Sequence, residues 1–372
     1  MTDSRTRSIV FANGSRRPTS VKSLPDKSLY DRINSLRVNV EGVAFELHEQ
    51  ETSSGWTRCT TTVSLHGGGC VGQGEDVTYD ANEQRAFAES AAPRIEGRYS
   101  SFSSFSRALD RAGTLFSGRP SQASSILYRR WAFESAALDL ALRQADSSLG
   151  ELWGMDPEPV RFVVSTGLGS PASTAALIDR LAVRSDLEFK IDYSEEFSDD
   201  LLRELSEFKI ACIDFKGHYH GSFSGPPVDP DRYAAVAKAL PHVILEDPGL
   251  SGLDVLAEEE SRLSWDYPIR SVADLLQLPS TGWINIKPSR FGLVSELIRS
   301  IEYCVGRGIK MYGGGQFELG IGRVQAQEIA ALFYPDGPND LAPSEYNNSV
   351  VPPGVASSPL RIKQTKGFGA FP

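Results

Sequence analysis

The sequence predicts an α/β protein in which a compact α+β domain is followed by a parallel barrel. Two observations predict this order. Up to about residue 150, stretches with the two-residue period of strands come before stretches with helical periodicity. After Pro159, short β-rich runs alternate with helical runs, a pattern that favours a parallel barrel over an open doubly wound sheet. The open sheet stays an alternative.

The first part of the chain has the pattern of a small antiparallel sheet joined to helices. Residues 38–49 alternate, residues 57–65 are rich in threonine, and Gly67, Gly68 and Gly69 mark a turn. Residues 82–150 have helical periodicity, most clearly at 126–145. Strands followed by helices are typical of an α+β domain.

The second part contains seven strand candidates that alternate with helices. The strand candidates are residues 160–165, 187–191, 210–215, 243–245, 262–264, 283–286 and 309–312. The helix candidates are residues 172–184, 199–208, 230–240, 271–278, 292–306 and 322–333. We expect residues 1–34 to form a poorly ordered basic extension and loop, 35–158 the first domain, 159–345 the barrel, and 346–372 a C-terminal segment that returns to the first domain.

Composition excludes several classes of function. The chain has 372 residues and a net charge of -10, which argues against binding nucleic acid or an anionic membrane surface. No apolar run reaches the length of a bilayer span, and the basic residues near the N-terminus are not followed by the apolar segment of a secretory signal. Four scattered cysteines lack metal-type spacing and indicate a reducing, cytoplasmic location, although Cys59 and Cys70 could form a bridge across a hairpin.

Acidic residues follow three successive strand candidates of the barrel. Asp214, Glu246 and Asp266 each stand where a strand ends, and the carboxyl ends of parallel barrel strands meet at one face. Three carboxylates at such short distances from one another require a cation. Oxygen ligands favour Mg²⁺ over zinc, although His218 and His220 keep zinc open. The alternative is that these acids cap helices or form surface ion pairs.

Lysines also stand at strand ends, namely Lys190, Lys216 and Lys287. An ammonium group buried beside a divalent ion and other cations is pushed toward neutrality, and it can then act as a base near pH 7. The alternative is that each lysine merely neutralises a carboxylate, which suits Lys190 best and Lys287 least.

Together these residues resemble the enolase superfamily, in its mandelate racemase and muconate lactonizing enzyme branch. The resemblance covers nearly the whole chain and lies in four motifs in the family's order: Lys190-Ile191-Asp192, Leu245-Glu246-Asp247-Pro248, the run from Ile284 to Arg290, and Glu318-Leu319-Gly320-Ile321-Gly322. It implies a (β/α)7β modified TIM barrel with an N-terminal α+β capping domain. It also implies bound Mg²⁺ on Asp214, Glu246 and Asp266, and removal by Lys287 of the proton α to a carboxylate, with an enediolate as intermediate.

The sequence departs from the family pattern at two positions. Asp192 stands where a second lysine is usual after the second barrel strand, and Lys216 stands where the family has asparagine. We expect Lys216 or Asp192 to act as the relocated acid or base, and a structural pair between them is the alternative. Racemisation requires a base on each face of the carbon, whereas cycloisomerisation or syn elimination requires only one.

The resemblance leaves several functions open. The main hypothesis is an isomerase, either a racemase or epimerase or a cycloisomerase, that acts on a small carboxylate. A lyase of the dehydratase type is the alternative, followed by a metal-free Schiff-base aldolase and a non-catalytic barrel. Homo-oligomerisation stays open.

Two further residues are candidates for contact with the substrate. Glu318 lies where the family often places a substrate-facing acid, and it could equally cap the last barrel helix. Trp56 at a hairpin tip suggests an apolar portion of the substrate, and simple packing is the alternative. The sequence Asn339-Asp340-Leu341-Ala342 lacks the second acid of dipeptide-specific members, which disfavours a dipeptide.

Overall fold

The computed structural model describes residues 28–52, 55–113, 115–219, 224–348, 351–363 and 365–369. The sequence predicts a poorly ordered extension and loop at residues 1–34, and residues 1–27 lie outside the described part. Residues 29–34 form helix α1 (Leu29–Asn34). Leu29 and Ile33 are spaced by four residues and both are buried, so the helix has one apolar face to pack.

An α+β unit follows α1. Strands β2 (Gly42–Glu51), β3 (Thr57–Gly67) and β4 (Cys70–Asp76) form an antiparallel sheet, while β1 (Val38–Val40) pairs separately with β5 (Gly97–Tyr99). The helices of this unit are α2 (Ala81–Ala88), α3 (Phe102–Arg111), α4 (Ser124–Gln144) and α5 (Leu149–Trp153). We call this unit the cap.

Helix α4 lies directly on strand β4 of the cap. A β-carbon at Gly72 would lie 2.2 Å from the backbone nitrogen of Leu140, so only glycine allows this approach of helix to strand. The helix is buried on nearly all sides, and Trp131 and Phe133 belong to the same core as barrel residues. A buried ion pair of 2.7 Å between Arg129 and Asp76 ties α4 to the end of β4.

The second unit is a parallel barrel, as the sequence predicts. Its strands are β6 (Val164–Thr166), β7 (Phe189–Asp192), β8 (Ile210–Asp214), β9 (Ile244–Glu246), β10 (Leu263–Trp265), β11 (Trp283–Ile286) and β12 (Lys310–Gly313), and each pairs with the next in parallel. Parallel bridges from Asn339 to Phe162 and from Asp340 to Gly314 close the barrel through an eighth extended segment. The predicted fold class, a capped (β/α)7β barrel, is therefore confirmed.

Helices surround the barrel as the alternation predicts. They are α6 (Ala175–Val183), α7 (Asp199–Leu205), α8 (Pro230–Ala239), α9 (Val272–Gln277), α10 (Pro288–Phe291), α11 (Val294–Arg307) and α12 (Ile321–Phe333). Between β9 and β10 the chain forms a 3₁₀ segment, Asp254–Arg262, and a short 3₁₀ turn, Ser344–Asn347, follows the barrel. The boundary expected at residues 158–159 stays a prediction.

The C-terminal segment packs between the cap and the barrel. Phe368 is buried beside Trp131 of α4, and its backbone nitrogen donates to Asp139 of the same helix at 2.8 Å. The backbone nitrogen of Gly369 donates to Glu328 of α12 at 2.6 Å. Two buried carboxylates from the two units therefore hold adjacent residues of this segment.

Candidate active site

Three carboxylates converge at the carboxyl ends of β8, β9 and β10. Asp214 and Glu246 are partners in the parallel register, and Asp266 directly follows β10. All three side chains are buried, and each offers an oxygen atom within 4.8 Å of the others. We call these residues the carboxylate row. The structure thus brings together the three acids that the sequence predicts to be metal ligands.

Cations from neighbouring strands pair with each member of the row. Lys190 Nζ lies 2.6 Å from Glu246 and 3.5 Å from Asp214, so this lysine serves the middle of the row. Lys287 Nζ lies 2.9 Å from Asp266 at one end of the row. Arg290, one turn further along the chain, lies 2.7 Å from the other oxygen of Asp266.

Lys216 occupies the opposite end of the row. Its Nζ lies 2.8 Å from Asp214 and 3.0 Å from Asp192. Its backbone has a positive φ of 53°, which is uncommon for a residue with a side chain. Lys216 and Lys287 therefore flank the carboxylate row from its two ends, and Asp192 is the partner of Lys216.

The ion pairs determine the charge state of these groups. Burial alone would lower the pKa of Lys287, but the adjacent Asp266 carboxylate outweighs it and raises the pKa above the ordinary value. At Lys216, burial would likewise lower the pKa, but the carboxylates of Asp214 and Asp192 outweigh burial. The pKa of Lys216 is therefore also raised. Burial would raise the pKa of Asp266, yet Arg290 and Lys287 hold it below its usual range. The sequence argument expects the pKa values of these lysines to be lowered toward neutrality. In the structure they are raised instead, because each lysine has a carboxylate partner.

Glu246 is held by four donors that sequence reasoning did not identify as a set. Oε1 accepts from Lys190 at 2.6 Å and from Asn285 at 3.1 Å. Oε2 accepts from the hydroxyl of Tyr312 at 2.6 Å and from the thiol of Cys212 at 3.2 Å. Burial raises the pKa of Glu246, and Lys190 opposes that rise. The only sequence signal for Tyr312 is its place near the end of a barrel strand.

Asp247 is a second residue that the sequence argument missed, although it belongs to a quoted motif. Its side chain is fully buried and accepts from the backbone nitrogens of Asp266 and Tyr267, both at 2.8 Å. Asp247 therefore fixes the backbone that carries Asp266. Its positive φ of 46° lets two consecutive acids, Glu246 and Asp247, serve different parts of the site.

Glu318 lies in the loop between β12 and α12, residues 314–320, at the other side of the barrel mouth. Its Oε1 accepts from the backbone nitrogen of Gln316 at 2.7 Å, and Arg323 lies 3.5 Å from its Oε2. Buried Oε2 has no hydrogen-bond partner among the described residues. Contact of Glu318 with a substrate stays a prediction.

The alternative in which Glu318 caps the last barrel helix is wrong, because Glu75 of the cap takes that role. The Glu75 carboxylate accepts from the backbone nitrogens of Leu319 at 2.7 Å, Gly320 at 3.1 Å and Gly322 at 2.8 Å. Arg58, also from the cap, donates to the carbonyl oxygens of Gln316 and Phe317 in the same loop. No sequence pattern links Glu75 to a loop that follows it by more than 200 residues.

Trp56 lies at the predicted hairpin tip between β2 and β3. Its ring is 5.9 Å from the ring of Phe317 and 6.3 Å from that of Tyr79. Trp56 therefore packs the cap hairpin against the β12–α12 loop, and its contact with a substrate stays a prediction.

The two histidines do not join the carboxylate row in the described part of the chain. The ring of His218 packs edge-on against Trp265 at 5.4 Å, and His220 lies outside the described residues. The acidic group that could hold a metal consists of carboxylates alone among the residues described.

Comparison with family models places the chain in a family. The model described as "Domain of unknown function (DUF8230) C-terminal domain" matches residues 156–348, and the corresponding N-terminal domain model matches residues 31–152. The chain belongs to the DUF8230 family.

Named proteins similar to this DUF8230 chain include a racemase and a synthase. An N-succinylamino acid racemase from Amycolatopsis sp is 30% identical over 142 residues, which are 35% of this chain and 38% of the racemase. An o-succinylbenzoate synthase from Geobacillus stearothermophilus is 25% identical over 252 residues, 64% of this chain and 66% of the synthase. The matched regions thus span less than two thirds of either relative.

Solved structures confirm the fold of this DUF8230 protein. A mandelate racemase/muconate lactonizing protein from Herpetosiphon aurantiacus superimposes with a TM-score of 0.62 at 18% identity, over 81% of this chain and 89% of the other. The chain therefore has the fold that its resemblance to the enolase superfamily implies, and a second structure of this fold is described as an unknown member of that superfamily from Enterococcus faecalis V583. In the described part of the DUF8230 chain, every helix is too short or too polar to cross a membrane.

Proposed function

We propose that the protein is a magnesium-dependent isomerase that moves the proton α to the carboxylate of a small organic acid. The observation that carries the proposal is the buried carboxylate row with a lysine at each end, Lys216 beside Asp214 and Lys287 beside Asp266. An isolated proton donor would not need this arrangement, whereas inversion at carbon needs a group on each face.

The donor chemistry of the row fits magnesium. Three buried carboxylates supply hard oxygen atoms within 4.8 Å of one another, which suits a small divalent cation better than a softer metal. Asp214, Glu246 and Asp266 would hold the ion. When bound, Mg²⁺ would draw negative charge toward the substrate carboxylate and so favour loss of the α proton.

The chain's own residues would carry the proton. A cation held by Asp266 would weaken the ion pair that otherwise keeps Lys287 protonated. Lys287 as a neutral amine would then take the α proton from one face and become an ammonium group. The charge left on the substrate forms an enediolate, which the buried Lys190 ammonium stabilises by its fixed positive charge. Lys216 would return a proton from the other face, with Asp192 orienting its amine at 3.0 Å.

The proposal extends to the surroundings of the enzyme. We propose a small carboxylate as the substrate, in line with the names of the similar racemase and synthase. A cytoplasmic location suits the Cys212 thiol, which donates to Glu246 and must stay reduced to do so.

Proton exchange in deuterated water tests the proposal. We expect the native protein with Mg²⁺ to exchange the α proton of at least one acid in a panel of N-acylamino acids and hydroxy acids, measured by mass spectrometry. Lys287→Ala and Lys216→Ala should each abolish exchange of one enantiomer and retain that of the other, because each lysine serves one face.

Two other results would change the proposal. Exchange that depends on Lys287 alone and ends in loss of water would indicate the dehydratase alternative. Absence of Mg²⁺ binding to the native protein in calorimetry would contradict the proposal as a whole.

A further inference from the structure

Tyr219 lies along the carboxylate row, although it belongs to none of the four sequence motifs. Its hydroxyl is 3.4 Å from Oδ2 of Asp266, at one end of the row. The centre of its ring is 5.3 Å from Nζ of Lys216, which flanks the other end. Nζ of Lys287 is 2.9 Å from the same Asp266 oxygen. The phenol therefore reaches from one proposed proton carrier toward the other.

The turn after β8 holds Tyr219 in this position. The backbone nitrogen of Tyr219 donates to the carbonyl oxygen of Lys216 at 3.1 Å, and its carbonyl oxygen accepts from the backbone nitrogen of Gly225 at 3.2 Å. A β-carbon at Gly225 would lie 2.0 Å from the carbonyl oxygen of Lys216, so only glycine lets the turn close. The backbone nitrogen of Gly217 donates to the carbonyl oxygen of Asp247 at 2.8 Å, which anchors the turn on the chain after β9.

A second tyrosine fixes the direction of the ring. Tyr267 directly follows Asp266, and its ring centre lies 4.4 Å from that of Tyr219, with 41° between the planes. The backbone nitrogen of Tyr267 donates to the buried Asp247 at 2.8 Å. Arg290, which pairs with Asp266, lies 5.6 Å from the centre of the Tyr267 ring. The turn and the ring contact together direct the hydroxyl of Tyr219 to the Asp266 end of the row.

The hydrogen bond from Tyr219 to Asp266 is a weak one. Its length of 3.4 Å exceeds the usual distance of about 2.7 to 2.8 Å between two oxygen atoms. Lys287 is the closer donor to the same oxygen atom, at 2.9 Å. The hydroxyl of Tyr219 can therefore turn to a nearer acceptor at little cost.

Tyr219 also lies where a substrate would reach the row. Its side chain is partly exposed, whereas the three carboxylates of the row are buried. The phenol is therefore on the solvent side of the row. A phenol, whose ordinary pKa is about 10, keeps its proton near pH 7, so this group supplies a donor without adding charge.

We propose that Tyr219 is a further catalytic residue, whose hydroxyl donates a hydrogen bond to the substrate oxygen on which the charge of the enediolate develops. The bond strengthens as the α proton leaves, because the oxygen then becomes more negative. Tyr219 transfers no proton: the α proton passes to a lysine, and the phenol keeps its own. The inference rests on the proposed function for the position of the substrate, and it adds a residue that stabilises the intermediate common to both enantiomers.

Two small ligands test the donor without turnover. Tyr219→Phe removes the hydroxyl and keeps the ring that contacts Tyr267. Acetate carries only a carboxylate, while acetohydroxamate forms a planar anion with charge on its oxygen atoms, as an enediolate does. In calorimetry with Mg²⁺ present, we expect Tyr219→Phe to bind acetohydroxamate about tenfold or more weakly than the native protein does, and acetate less than about threefold more weakly. The affinity for Mg²⁺ itself should not change.

Proton exchange separates this role from one that acts through a lysine. A donor to the enediolate serves both faces of the carbon. Tyr219→Phe should therefore lower kcat about 10- to 100-fold for both enantiomers of an exchanging acid and change KM by less than about threefold. Loss of Lys216 or Lys287 should instead affect one enantiomer.

Tyr193→Phe is the matched control. The ring of Tyr193 packs against Phe215 and against Tyr233 of α8, and its buried hydroxyl has no hydrogen-bond partner among the residues that the structure describes. This variant should bind Mg²⁺ and both ligands, and exchange protons, as the native protein does. Thermal unfolding should show that both variants are folded.

The outcomes distinguish this inference from the proposed function. Unchanged affinity for acetohydroxamate in folded Tyr219→Phe, or equal loss of affinity for both ligands, would overturn the inference. A fall in kcat confined to one enantiomer would also overturn it, because the phenol would then act through the lysine of that face. Absence of exchange on every acid of the panel would contradict the proposed function, while a selective loss of acetohydroxamate affinity would still support the donor. Native exchange in Tyr219→Phe would reject the inference and leave the proposed function intact.

Discussion

The two sides of the barrel mouth are held in place by different forces. The carboxylate row is fixed within the barrel, by ion pairs between neighbouring strands such as Lys190 with Glu246 and Lys287 with Asp266. The β12–α12 loop on the other side is fixed from outside, by Glu75 and Arg58 of the cap. The positions of the carboxylate row therefore depend on the barrel alone, while the position of Glu318 depends on the contact between cap and barrel.

The largest effect should come from Glu246→Gln, which breaks the barrel side of this comparison. The variant loses one charge of the row, and the amide nitrogen of glutamine would face donors such as Tyr312 and Lys190. We expect Mg²⁺ affinity to fall by about 100-fold or more in calorimetry, and proton exchange to be lost. Asp200→Asn, an exposed acid on α7, is the control and should bind Mg²⁺ as the native protein does. Unchanged Mg²⁺ affinity in Glu246→Gln would remove the row from the proposed metal site.

Glu75→Gln breaks the cap side and should leave the row intact. The Glu75 carboxylate accepts three backbone N–H groups, and an amide side chain can replace only part of that set. We expect the free energy of unfolding to fall by about 2 kcal/mol and kcat/KM to fall about tenfold or more. Mg²⁺ affinity should not change.

The exposed Glu89→Gln, directly after α2 of the cap, is the matched control, since it makes the same change of side chain elsewhere in the cap. It should alter neither stability nor activity. A loss of Mg²⁺ affinity in Glu75→Gln would show that the two sides of the mouth are not independent.

The contact between the C-terminal segment and the barrel should make the stability of the protein depend on pH. Burial raises the pKa of Glu328 to about 7, and this carboxylate of α12 accepts the backbone nitrogen of Gly369. Because the pKa is higher in the folded than in the unfolded protein, the folded state holds the proton longer as pH rises. Protonated Glu328 therefore contributes at most about 3 kcal/mol to the free energy of unfolding. This contribution is complete below the pKa of the unfolded protein, falls as pH rises toward 7, and is lost above pH 7.

The measurement is the free energy of unfolding against pH for the native protein and Glu328→Gln. The native value minus the variant value should decrease between about pH 4.5 and 7 and then level off. A difference that stays flat or increases with pH would contradict this role of Glu328.

Much of the barrel could be predicted from the sequence, because its signals are local. Each strand is a short β-rich run followed by a helix, and each acid of the row directly follows its own strand, so their convergence at one end needs only the parallel arrangement. The departure from the family pattern predicts Lys216 as a relocated acid or base, and the structure places it beside Asp214 and Asp192. That proximity leaves its catalytic role a prediction.

The contacts that position the row and the loop could not be predicted, because they join distant parts of the chain. Glu75 looks in the sequence like any polar residue at the end of a strand, and its role depends on how the cap sits on the barrel. Asp247 follows Glu246 in one sequence motif, and no local pattern predicts that its positive φ directs its side chain to the backbone of Asp266. The ion pair with Asp266 that raises the pKa of Lys287 could not be predicted either, since it depends on a distance within the folded barrel.

The smallest effect should come from Tyr312→Phe, which tests how firmly the barrel itself holds Glu246. The Tyr312 hydroxyl lies 2.6 Å from Glu246 Oε2 and 2.9 Å from Ser264 Oγ, with all three residues buried. Its removal leaves the carboxylate with one donor fewer, so unfolding should become easier by about 1 to 2 kcal/mol, and Mg²⁺ affinity should fall up to about tenfold. Tyr334→Phe is the matched control, because the buried Tyr334 hydroxyl has no partner in the described part of the chain. Loss of that hydroxyl should cost nothing in either measurement, and equal losses in the two variants would show that Tyr312 acts by packing and not through Glu246.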